Sequence, residues 1–192
     1  MTHDAALTPD QRAALLAIAR RAICDRVCGH TAIAPSAFDP ALQTPGAAFV
    51  TLTQAGMLRG CIGYVHAVRP LAEAVAHCAV SAATEDPRFP PVSREELPEL
   101  RLEISVLSPL QRITDPHTVE VGRHGLHISQ EGRHGLLLPQ VATELGWDRE
   151  TFLRHSCLKA GLPADAWRHG AMIQVFTVDH FSDGLPLDAA RR

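Results

Sequence analysis

Lysine is almost missing from this chain: Lys159 is the only one among 192 residues, and arginine carries nearly all the positive charge. With a formal net charge of −3, the broad basic surface that nucleic-acid binding requires is lacking, and DNA and RNA drop out as expected partners. Long apolar runs are missing too. None approaches the roughly 20 residues that cross a bilayer, and Met1-Thr2-His3-Asp4 carries no signal-peptide pattern, so the expectation is a cytoplasmic protein without a membrane partner. The five cysteines (Cys24, Cys28, Cys61, Cys78 and Cys157) are odd in number and form no C-x-x-C pair, which in a reducing compartment argues for free thiols over a disulfide framework. No G-x-G-x-x-G, Walker or G-x-S-x-G element is present, and no cofactor is called.

What is present is enough chain for one domain, or two closely packed lobes, around a sizeable core. Thr8-Pro9-Asp10-Gln11 reads as an N-cap, a proline at the first helical position and a capping-box glutamine, and the helix it opens should stop at Gly29. A proline-punctuated loop with Pro35, Pro40 and Pro45 leads to a strand over 47–53, and Gln54-Ala55-Gly56 turns it into a hairpin partner over 57–64. A helix is expected from Pro70 to about Ala83. Ser93 and Glu96 form a capping box for a short helix, and Leu100 to Leu107 alternates as a strand. The repeat Gly122-Arg123-His124-Gly125 and Gly132-Arg133-His134-Gly135 reads as two arms of one hairpin. Two helices follow, 139–145 and 148–160, the second presenting Phe152, Leu153, Cys157 and Leu158 to the core, then a last strand over 171–178 and a fraying tail from Phe181. Helices and hairpins without steady strand/helix alternation predict an α+β fold, mainly antiparallel sheet flanked by helices.

The chemistry concentrates on Leu58-Arg59-Gly60-Cys61-Ile62-Gly63. Alternation places Arg59, Cys61 and Gly63 on one strand face and Leu58, Ile62 and Tyr64 on the other. Cys61 is the candidate nucleophile, and Arg59 beside it would favour the charged form of the thiol. Gly60 and Gly63 would leave backbone open to a ligand, or else let another backbone pack closely. In the proline-locked stretch Asp86-Pro87-Arg88-Phe89, Arg88 would clamp a carboxylate or phosphate of a small anionic ligand; alternatively Asp86 and Arg88 pair with each other. Glu103, pointing outward from its strand, and His124 are candidates to move a proton. No metal site is called: Cys24 and Cys28 lack a second pair, His77 and Cys78 point apart, and Arg123 and Arg133 would repel a cation from His124, His127 and His134.

These same motifs carry a family resemblance. Gly46–Leu52, Leu58–Gly63, Asp86–Phe89, Glu103–Leu107, Gly135–Val141 and Cys157–Leu162 resemble, in order, the pattern of the AMMECR family, called AmmeMemoRadiSam system protein A in prokaryotes. One departure is Asp183, where a glutamate is common. The resemblance implies a single domain over residues 8–181, with 1–7 and 182–192 as flexible termini. It also implies a larger and a smaller lobe forming a cleft beside the signature strand, and a Memo-like protein and a radical-SAM enzyme as partners. Two functions follow as expectations: a cysteine-dependent enzyme or substrate-handling protein acting through Cys61, or a non-catalytic adaptor that presents substrate to those enzymes.

Overall fold

The computed structural model describes residues 7–30, 39–182 and 184–187. The loop expected around Pro35 and the flexible termini expected at 1–6, 183 and 188–192 lie outside the described residues. The chain divides into two compact units, one built from the residues through Val106 and from Asp179 on, the other from Leu107–Val178.

In the first unit, helix α1 (Pro9–Cys28) begins as the sequence predicts: Thr8 caps it, Gln11 completes the capping box, and Gly29 ends it in the left-handed conformation at φ 72°. Strands β1 (Ala47–Gln54) and β2 (Met57–Gly63) form the hairpin, helix α2 spans Leu71–Thr84, and β3 spans Leu100–Leu107. Strand β8 (Val178–Ser182) completes a sheet of order β2-β1-β3-β8. The core pattern follows from period: Leu15, Ala19 and Ile23 of α1 and Leu71, Val75 and Cys78 of α2 cluster with alternating Val50, Leu52, Leu102 and Ile104 of the sheet. Both helices therefore cover one sheet face, and the intervening residues Thr51, Glu103 and Cys61 belong to the other.

The second unit carries the sheet β4-β7-β5-β6, from β4 (Gln111–Ile113), β5 (Gly125–Gln130), β6 (Arg133–Leu137) and β7 (Met172–Phe176). Helices α3 (Pro139–Glu144) and α4 (Arg149–Lys159) accompany it, and Asp148 caps α4. Gly135 is a packing residue: a Cβ there would lie 2.4 Å from the Ala160 backbone nitrogen, so the end of α4 rests directly on β6.

Several sequence expectations need correction. Leu158 is 52% exposed, and Ser156, bonded to the Phe152 carbonyl, takes the buried place on α4. Ser93 and Glu96 do bond, but only a 3₁₀ turn over Leu97–Glu99 follows, because Pro98 cannot continue a ladder. The sequence reading omits β4 and β8 as strands. Nor does the tail fray from Phe181: Phe181 is buried in β8, Leu187 is fully buried, and the buried Arg20 guanidinium donates to the carbonyls of Leu185 and Pro186. Leu7, placed with the flexible terminus, donates its N–H to Asp179. Leu187→Ala should therefore cost about 2–4 kcal/mol in urea unfolding, whereas Leu158→Ala should stay within about 0.5 kcal/mol.

Candidate functional site

The hairpin turn needs positive φ at both central positions, and Ala55 at 50° and Gly56 at 78° supply it. Gln54 then pairs with Met57 and Thr53 with Leu58, but Leu52 pairs with Gly60 and Thr51 with Cys61. Arg59 is the extra residue of a β-bulge. The simple alternation expected for this strand is thereby broken: Leu58 faces outward and is exposed, Gly60 joins the core face, and Cys61 sits half-buried on the outer face. There the Thr51 hydroxyl donates to Cys61 Sγ at 3.3 Å.

Strand β2 is the edge of its sheet, and the Cys61 peptide groups point off that edge. The Asp86-Pro87-Arg88-Phe89 loop satisfies both. Asp86 Oδ2 accepts the Cys61 N–H at 2.8 Å, and Arg88 Nη2 donates to the Cys61 carbonyl at 3.3 Å. The two side chains bind each other in a fork, Nε to Oδ1 at 2.9 Å and Nη2 to Oδ2 at 2.6 Å. The Asp86 side chain is 3% exposed and that of Arg88 53%. The Arg88 guanidinium, against the opposing effect of burial, holds the Asp86 carboxyl well below the usual carboxylate range, with the N–H groups of Cys61 and Arg88 adding to it.

Arg59 also meets a carboxylate. Its Nε and Nη2 donate to Glu96 at 2.8 and 3.1 Å, which lowers the Glu96 pKa, while its buried Nη1 has no hydrogen-bond partner. Both guanidinium carbons lie near the Phe89 ring, Arg59 at 5.9 Å and Arg88 at 5.5 Å from its centroid. The room left by the glycines is filled by the protein itself. A Cβ on Gly60 would stand 2.1 Å from the Ala82 carbonyl oxygen at the end of α2, and one on Gly63 would stand 2.3 Å from the Phe49 ring.

Glu103 shares the outer face with Thr51. Its carboxylate lies 3.8 Å from His180 Nε2, and His180 Nδ1 is hydrogen-bonded to the buried Ser105 hydroxyl at 3.0 Å. His124 belongs to the second unit, where its Nδ1 accepts the Glu120 N–H and burial pushes its pKa down. In that unit His127 bonds to Gln174 at 3.0 Å. Among the described residues no three His, Cys, Asp or Glu side chains gather as a metal set. The structure thus joins Cys61, Gly60, Gly63, Asp86, Arg88 and Arg59 around the hairpin edge and adds Thr51 and Glu96 there, while Glu103 lies two strands away with His180 of β8 beside it; sequence reasoning missed Thr51, Glu96 and His180. Alternation marks Thr51 as outward; nothing local marks its register.

Comparison with known proteins fits this arrangement. The AMMECR1 family model matches residues 16–181, which include every one of these side chains. The chain belongs to the AMMECR1 family. A protein of Thermofilum pendens is 42% identical over 183 residues, covering 86% of each chain, and one of Methanothermobacter thermautotrophicus is 44% identical over 170 residues, covering 85% of this chain and 88% of its own. The crystal structure of the uncharacterised protein PH0010 from Pyrococcus horikoshii superposes with a TM-score of 0.83 at 40% identity, over 90% of this chain and 91% of that one.

Two outcomes test the geometry. A depressed carboxyl pKa adds stability that is complete above the unfolded aspartate value, about 3.9, and is lost as pH falls from there through the lower folded value. Asp86→Asn should remove that acid-side slope and cost about 1–3 kcal/mol at neutral pH, read from urea midpoints between pH 2 and 7. Native alkylation mapped by mass spectrometry should label Cys61 and Cys28 well before the buried Cys24, Cys78 and Cys157; burial also raises the Cys78 thiol to about 11 and raises that of Cys157. Equal labelling of all five would contradict the packing.

Proposed function

We propose that this AMMECR1-family protein is a cytoplasmic, cysteine-centred substrate-handling component that works beside a Memo-like protein and a radical-SAM enzyme. The observation that carries this reading is the fixation of Cys61. Its peptide is held on both sides by an ion pair whose carboxylate is buried, while its thiol stands on the outer face against a hydroxyl donor. A nucleophile or a substrate-contacting thiol needs that fixed placement. A cysteine that merely filled space would sit on the core face, as Cys78 does. Thr51 supplies a donor where negative charge on sulfur would develop. Glu103, two strands away, remains the proposed proton carrier, and the outward edge of Arg88 the contact for a small ligand.

A second reading, the non-catalytic adaptor, is favoured by one specific finding: the glycine gaps and both arginine forks are occupied by the protein's own groups. In a system reconstituted from the three proteins, Cys61→Ser should lower turnover by roughly two orders of magnitude or more, with Cys28→Ser as the control. Full turnover with Cys61→Ser, together with unchanged co-purification of the partners, would sink the cysteine reading in favour of the adaptor.

A further inference from the structure

The outer face of the first sheet carries more than a thiol. Strands β1 and β3 are neighbours, and Gln54 at the end of β1 bonds to Glu99 just before β3 at 2.7 Å. Both strands turn their alternate residues Val50, Leu52, Leu102 and Ile104 into one core. β1 ends at Gln54 and β3 begins at Leu100, each strand eight residues long, so antiparallel pairing end to end, with the core residues kept on one face, puts Thr51 near the level of Glu103. Thr51 is itself opposite Cys61, and Glu103 lies 3.8 Å from His180 on the next strand. Thiol, hydroxyl, carboxylate and imidazole thus follow one another in strand order on one face of the sheet. Strand spacing separates the thiol strand from the carboxylate strand by about 10 Å.

The charges along this row are unequal. Arg59 and Arg88 each direct two nitrogens at a carboxylate of their own, Glu96 and Asp86. Glu103 has only an imidazole that is charged when protonated, and Arg101 on the same strand face turns its guanidinium to the carbonyls of Pro98 and Leu100. Across Thr51 from the Cys61 sulfur there is therefore a carboxylate, Glu103, to which no guanidinium is bonded.

We propose that Cys61, Thr51 and Glu103 form a binding site for a small ligand with a cationic, hydrogen-bond-donating group such as a primary ammonium, which meets Glu103 while the ligand's other end lies at the Cys61 sulfur. His180, braced by Ser105, is a positioning residue for the Glu103 carboxylate. The proposal rests on Cys61 being the working thiol, and it names the substrate class as amine rather than anion.

Charged thiosulfonates of equal length test it. The Cys61 thiolate attacks the sulfenyl sulfur, a disulfide forms and methanesulfinate leaves; the appended group then reaches roughly 5 Å beyond the cysteine sulfur, toward Glu103. Rates for the 2-aminoethyl and 2-sulfonatoethyl reagents at Cys61 are measured on the native protein at low salt and divided by the same ratio in the urea-unfolded chain. The native protein should favour the ammonium reagent by about tenfold, and the isosteric Glu103→Gln, at a half-buried position, should bring the ratio back to that of the unfolded chain. Preference for the sulfonate, or a preference untouched by Glu103→Gln, overturns the amine site and leaves Cys61 reactive. Reaction with neither reagent overturns the reading of Cys61 as well.

Discussion

One extra residue in strand β2 determines where the thiol points. Were the hairpin regular from its Gln54–Met57 pair onward, Leu52 would oppose Arg59 and Val50 would oppose Cys61, turning a guanidinium and the signature cysteine into the core. The bulge at Arg59 moves the register by one, so that Gly60 opposes Leu52 and Cys61 opposes Thr51. A glycine is then required on the core face, because the Ala82 carbonyl occupies the place of a side chain. The glycine, the arginine and the cysteine are three consequences of one backbone irregularity.

An edge strand with a bulge is a weak element, since its outward N–H and C=O groups lack a ladder. Asp86 and Arg88 supply the missing rung. Buried ion pairs are poor stabilisers when desolvation outweighs attraction, yet this one differs. Arg88 keeps about half its side chain in water, and the Asp86 carboxylate takes backbone N–H groups from Cys61 and Arg88 in addition to the fork. Glu96 does the same for the bulge itself by holding Arg59.

Much of this fold is legible in the sequence where local chemistry is explicit. Thr8, Gln11 and Gly29 bound α1, Asp148 caps α4, and strict alternation from Leu100 gives β3 to the residue. Strand β8 is not legible because Val178-Asp179-His180-Phe181-Ser182 has one buried apolar residue, and its place comes from Arg12 and Leu7 holding Asp179. The candidate site divides the same way. Cys61, Arg59, Asp86 and Arg88 stand out as residue types in a compact motif, whereas their pairing depends on a bulge and a loop closure between residues 25 positions apart. Arg59 shows the difference most sharply: adjacency to Cys61 suggests a charge acting on sulfur, but Glu96, 37 residues away, takes its donors.

That substitution of partners changes the electrostatics of the outer face. A free guanidinium near the sulfur would act as a charge whose influence falls as the inverse of distance, whereas a guanidinium closed on a carboxylate at under 3 Å acts as a dipole whose field fades faster. Two such dipoles flank Cys61, so its immediate surroundings are set by the donor in contact with it, the Thr51 hydroxyl. On the same sheet face, two strands away, stands Glu103, a carboxylate not bonded to a guanidinium. The arginines that draw attention in the sequence thus fix the backbone, and the residue in contact with the thiol is the less conspicuous Thr51 of β1.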